Sequence, residues 1–428
     1  MKFAGSLLLL LIPGVLAARA QDSMPNMPPT QQMSMGGGMN QSGMLLMNES
    51  SGTSVQPQSW PMPMLMTDAG GWQLMWMAQA FVVDTQQSSP RGGDKLWSTN
   101  WGMLSALHNA GSGSLMLRMM LSLEPATISN RRYPLLFQTG ETAYGVPIVD
   151  GQHPHNLFME IGFQYAHPLT ENMHWTLYYA PVGDPSLGPT AYPHRASASE
   201  LPQAALGHHW EDSTHIAYNV VTAGISTSKL RLEASGFYGR EPGENRWTLD
   251  LGPIDSWSVR LTLLPAKNWQ AQVSTGRLTQ PEALEAGDVL RTTASVEYVK
   301  PRLRQTSWAT SLIWGQDQKL AVHRTLNAVT AETVVPVSAR NFFTGRYEWS
   351  QRDELFDDDP ANALAGRVFV VNAFTAGYTR DIPLLRNVET GLGCNVSFYA
   401  IDKTLQAYYG NHPWGANIFL RVRLRKQN

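Results

Sequence analysis

The stretch that decides the fold is Ser256-Trp257-Ser258-Val259-Arg260-Leu261-Thr262-Leu263, a turn from Pro265 to Asn268, then Trp269-Gln270-Ala271-Gln272-Val273-Ser274. Apolar and polar residues alternate on both sides of the turn, the period of a strand with two unlike faces. Working outward, Leu290, Ala294, Val296 and Tyr298 stand against Arg291, Thr293, Ser295 and Glu297. Leu230 and Leu232 alternate with Arg231 and Glu233, and Phe343, Tyr347 and Trp349 with Thr344, Arg346 and Glu348. Near the end, Ile418, Leu420, Val422 and Leu424 oppose Asn417, Arg421 and Arg423, with Phe419 on the polar phase. Sixteen such segments are expected, beginning near residues 71, 97, 113, 156, 172, 214, 229, 255, 268, 289, 305, 321, 339, 367, 387 and 414. At about ten to thirteen residues each, they match a tilted strand crossing hydrocarbon.

The connections carry as much information as the strands. Short turns such as His108 to Ser112, Pro168 to Asn172 and Ser226 to Lys229 alternate with long links such as Pro125 to Asn156, Pro181 to Ser213 and Arg240 to Pro253. Gln316 to Ala321 is read as one of the long links. Placing every long link at one end is the pattern of an up-and-down membrane barrel with short periplasmic turns and outer loops. A soluble sandwich or propeller has no reason to do so. On this topology outward-facing Leu261 should reject an arginine, whereas lumen-facing Thr262 should accept one.

The N-terminus agrees with export. Lys2, the apolar run Leu7 to Ile12 and the small-x-small site Ala18-Arg19-Ala20 predict a signal peptide over residues 1–20. No Cys follows that site, which argues against a lipoprotein. Residues 21–70 read as a disordered, Met-rich periplasmic tail among Pro, Gln, Ser and Gly, and 71–428 as the barrel. Charged residues are 15% of the chain, below the roughly 25% usual in soluble proteins. The 14 Trp and 14 Tyr suit two membrane–water interfaces. A net charge of -2 offers no basic face for nucleic acid, and the single cysteine, Cys394, excludes an internal disulfide.

From Trp72 to Arg425 the pattern resembles that of the bacterial porin-like outer-membrane barrels. The resemblance implies an all-β transmembrane barrel in the outer membrane, surrounded by lipid and lipopolysaccharide and passing small solutes or metal ions. Oligomeric state stays open. The chain departs from many such barrels by ending Arg425-Lys426-Gln427-Asn428 rather than on an aromatic residue.

Two residue sets point to metal. His153, His155, His208, His209 and His215 crowd the long loops together with Glu211 and Asp212, and imidazole with carboxylate suits Zn, Cu or Ni. Met75, Met77, Met116 and Met120 fall on the lumen phase near the tail's point of entry; thioethers favour Cu(I), and the tail looks like Met-rich segments of copper-resistance proteins. The function expected is a channel for small solutes with a copper-handling role. The alternative is a non-conducting metal-binding barrel with a filled lumen. Asp212, Ser213 and His215 would be the residues of a hydrolase, but no nucleophile elbow surrounds them, so an enzyme is not expected.

Overall fold

The structure, a computed structural model, describes residues 39–302, 306–384 and 387–424. The proposed signal peptide, Met24, Met27, Met33 and Met35 therefore lie outside the described residues. A short strand β1 (Leu65–Ala69) turns through Gly70 and Gly71, both at positive φ, into β2 (Trp72–Gln87). β3 (Lys95–Ala110) and β4 (Gly113–Leu121) follow, then a separate hairpin of β5 (Tyr133–Ala143) and β6 (Val146–Gln152). Next come β7 (Phe158–Thr170), β8 (Met173–Gly183), β9 (Ala217–Thr227) and β10 (Leu230–Tyr238). β11 (Ser256–Ala266), β12 (Trp269–Leu278), β13 (Val289–Pro301), β14 (Ser307–Lys319) and β15 (Arg324–Ser338) continue the series. β16 (Asn341–Arg352), β17 (Phe369–Asp381), β18 (Val388–Ile401) and β19 (Trp414–Leu424) complete it.

All pairings are antiparallel, and β19 returns to β2 with Asn417 opposite Thr85, so the sheet closes. Of its seventeen strands, β1 pairs only with β2; the other sixteen form the barrel, each starting within three residues of the predicted position. The alternation divides as the pattern required. Trp257, Val259, Leu263, Phe343, Tyr347, Ile418 and Leu420 are exposed on the outer surface. Arg260, Thr262, Arg346, Glu348, Phe419 and Arg421 are buried inside. A continuous apolar outer surface is stable only in lipid, and a closed barrel leaves no unpaired strand edge there. The protein is an outer-membrane β-barrel.

The structure corrects the sequence reading in two places. Gln316 to Lys319 lies within β14, so the link to β15 is only residues 320–323, and the strict alternation of long and short connections fails there. The larger correction concerns the tail, expected to lack structure to residue 70. Residues 41–47 form a helix, α1 (Gln41–Met47), capped by the Asn40 side chain on Gly43 N. Asn40 is tied to β4 by a bond to Gly113 O at 3.0 Å and one from Ser114 Oγ at 2.7 Å. Ser50 to Gln56 are buried inside the barrel. The chain then returns to the short-turn end, where Ser59 N donates to Lys267 O. A polar segment that resembles disorder in water finds its hydrogen-bond partners in a polar lumen.

Candidate functional site

The lumen wall is charged, and two inserted segments meet its charges. From the N-terminal segment, Glu49 reaches Arg231 at 2.5 Å and Arg118 at 3.8 Å. Arg118 also holds Glu160 at 3.0 Å and donates to Gly52 O at 2.7 Å. Arg260 donates to Thr53 Oγ1 at 2.8 Å while pairing with Glu233 at 3.1 Å. The second segment is the loop 184–216 between β8 and β9. Its Arg195 pairs with Glu332 at 2.6 Å and Asp212 at 2.8 Å, and its Glu200 takes both Arg421 and Arg423. The two segments also bind each other: Ser51 Oγ donates to Asp184 Oδ2 at 2.9 Å, and Gln56 Nε2 to His194 O at 2.6 Å. The interior is thus occupied by the chain itself. A cavity of about 460 Å³ remains at the short-turn mouth, beside α1, with Met44, Asn48, His174 and Arg231 in its lining.

All four predicted lumen methionines face inward and share one cluster. Met75, Met77, Met116 and Met120 pack with Met103 and Met159 from the wall and Met64 and Leu46 from the N-terminal segment. Met116 Sδ accepts a contact from Arg118 Nη2 at 3.7 Å.

The five predicted histidines also converge, as a chain of touching rings. Ring centroids are 5.2 Å apart for His155 and His215, 5.4 Å for His215 and His208, 5.4 Å for His208 and His209, and 5.6 Å for His209 and His153. Most of them have one nitrogen engaged. His155 Nδ1 meets Glu124 at 2.9 Å, His208 Nδ1 meets Asp212 at 2.5 Å, His215 Nδ1 meets Asp212 O at 2.8 Å, and His153 Nδ1 meets Pro154 O at 3.2 Å. Burial would raise Asp212, but His208 and Arg195 hold its carboxyl well below the usual range. His209 differs: neither ring nitrogen has a hydrogen-bond partner, and burial pushes its imidazole well below the ordinary value. Among the described residues, three ligand atoms from different side chains come together only at His209, Glu241 and Glu282. Sequence reasoning found the histidine but missed both carboxylates, which sit in separate loops with no motif spacing.

The Asp212, Ser213, His215 set builds no catalytic triad. Ser213 Oγ accepts from Arg291 at 2.7 Å and donates to His209 O, while His215 turns to a backbone carbonyl.

Barrel closure, strand number and apolar exterior define a porin-like outer-membrane barrel. Among solved structures it is similar to the anion-selective porin from Comamonas acidovorans, at 10% identity and TM-score 0.52, covering 82% of this chain and 100% of that one. It is also similar to Salmonella typhi OmpF, solved with daunomycin, at 9% identity and TM-score 0.51, covering 84% and 100%. A third similar structure is Pseudomonas putida OprB, at 9% identity and TM-score 0.51, covering 83% and 94%. No family model and no curated protein sequence matches the chain.

Proposed function

We propose that the protein is an outer-membrane conduit for small solutes, held closed by its own N-terminal segment and the loop 184–216. One observation carries this reading: the wall charges that would line an open pore are neutralised by Glu49, Arg195 and Glu200 of the inserted segments. Sixteen strands enclose enough width for water once the interior is vacated. A polar filler also leaves behind charged and hydroxyl-bearing walls that water can solvate once the segments move away, as an apolar filler would not. In planar bilayers the full chain should be silent or nearly so, and a chain lacking residues 39–64, with the loop 184–216 replaced by a short turn, should show porin-like steps. If the shortened, folded barrel stays silent, the non-conducting metal-binding reading takes its place.

The methionine cluster favours a second role, Cu(I) capture, because thioethers from the wall and the inserted segment meet in one place. Replacing Met75, Met77, Met116 and Met120 with leucine keeps the apolar volume, so folding should survive. Cu(I) retention by the purified protein should fall; unchanged retention would leave the cluster as packing alone.

A further inference from the structure

We propose that His209, Glu241 and Glu282 form a binding site for a divalent transition-metal cation, Zn²⁺ being the best match, at the long-loop end of the barrel. One ligand atom from each lies within 4.8 Å of the others. The loops between β10 and β11 and between β12 and β13 bring the carboxylates together, pinned by Glu241 N donating to Pro281 O at 3.0 Å. His209 comes from the loop 184–216 and is 7% exposed. Its ring lies against Gly140, whose φ is +110°; a Cβ there would meet the ring at 2.5 Å, so the imidazole is held in place from behind.

His209 is buried, the two carboxylates are half-buried and hydrogen-bonded to each other, and several of their ligand atoms are left without a partner. Both nitrogens of His209 and Oε2 of Glu241 have no hydrogen bond within the protein. Nearby cations are engaged elsewhere: Arg291 with Asp317 at 2.7 Å, and Lys319 with Glu285 at 2.8 Å and Glu354 at 2.7 Å. What sets this group apart is the convergence of an imidazole free at both nitrogens with two carboxylates from separate loops. Entry is provided by a cleft running past Glu141, Glu285, Glu354 and Asp357 to Glu282, whose carboxylates attract cations.

One imidazole and two carboxylates select a borderline divalent ion. Ca²⁺ and Mg²⁺ prefer all-oxygen shells, whereas Zn²⁺ takes nitrogen and oxygen at about 2 Å. Ligand atoms around such an ion stand roughly 3–4 Å apart, so a contraction of about an ångström completes the set. The site does not depend on whether the lumen conducts.

The test is calorimetric titration of the full chain, folded in detergent and stripped with chelator, using ZnCl₂, with MgCl₂ and CaCl₂ alongside. One equivalent of Zn²⁺ should bind, and the variants Glu241→Gln/Glu282→Gln and His209→Asn should each weaken binding at least tenfold. His155→Gln, whose imidazole is already on Glu124, should bind as the parent does. Heat-modifiable gel mobility checks that every variant is folded. The proposal is overturned by a parent that takes up no stoichiometric Zn²⁺, by equal binding of Mg²⁺ or Ca²⁺, or by folded variants that bind as tightly as the parent.

Discussion

Glu49 enters the barrel and meets two arginines there, while its own relative exposure is only 3%. Removing one member of such a buried set leaves the rest uncompensated, at a cost of about 3–5 kcal/mol. Glu49→Leu should therefore lower the urea midpoint of unfolding sharply, and an unchanged midpoint would mean that the lumen is wetter than the contacts imply. The outer face gives a contrast. Leu261→Arg should cost roughly 2–4 kcal/mol in hydrocarbon. An open pore would have accepted Thr262→Arg, but Thr262 is only 2% exposed, so that change should now also destabilise. Burial lowers the His194 imidazole to about 3, helped by His155 and Arg118. A base held below its unfolded value of about 6.5 leaves the fold unaffected above that pH; stability is lost as pH falls from there towards about 3. Since Gln56 rests on the His194 carbonyl, channel openings should become more frequent at pH 5 than at pH 7.5. His194→Gln should flatten that response.

At the scale of elements, the barrel strands were readable because a wall between lipid and a polar interior imposes a two-residue period at every step. β11 and β12 declare it in side chain after side chain. Glu49 to Gln56 could not be read this way. Their partners are Arg118, Arg231, Arg260 and Asp184, all remote in sequence, so a segment rich in Ser, Gly and Thr carries the same composition whether solvated or enclosed. The histidines were legible as a local cluster, whereas Glu241 and Glu282 become ligands only after two loops are pinned together. If the N-terminal segment closes the conduit, tethering it should abolish opening. Cysteines placed at Ser51 and Asp184, with Cys394→Ser, should give a channel that lacks the pH 5 openings when oxidised and regains them in reductant. Equal conductance in both states would count against a moving segment.

At the scale of the whole molecule, the barrel encloses one of its long loops and leaves others outside. Tyr192, Leu201, Leu206 and Trp210 of the loop 184–216 are buried, whereas Trp247, Leu251 and Leu284 of neighbouring loops stand about half exposed. Chymotrypsin applied to intact cells should cut at the latter three and spare the former four; the opposite pattern would reverse the account of the interior. Closure of the sheet also fixes an order of construction. Thr85 and Asn417, 332 residues apart, are neighbours across the seam between β2 and β19. The segment sealed inside precedes all sixteen barrel strands, yet its enclosure is complete only when β19 pairs with β2. Closing so distant a contact is slow. During refolding, amides from Ser51 to Gln56 should gain lasting protection from hydrogen exchange no earlier than those of β19, so a segment that precedes the barrel strands in the chain is the last to become dry.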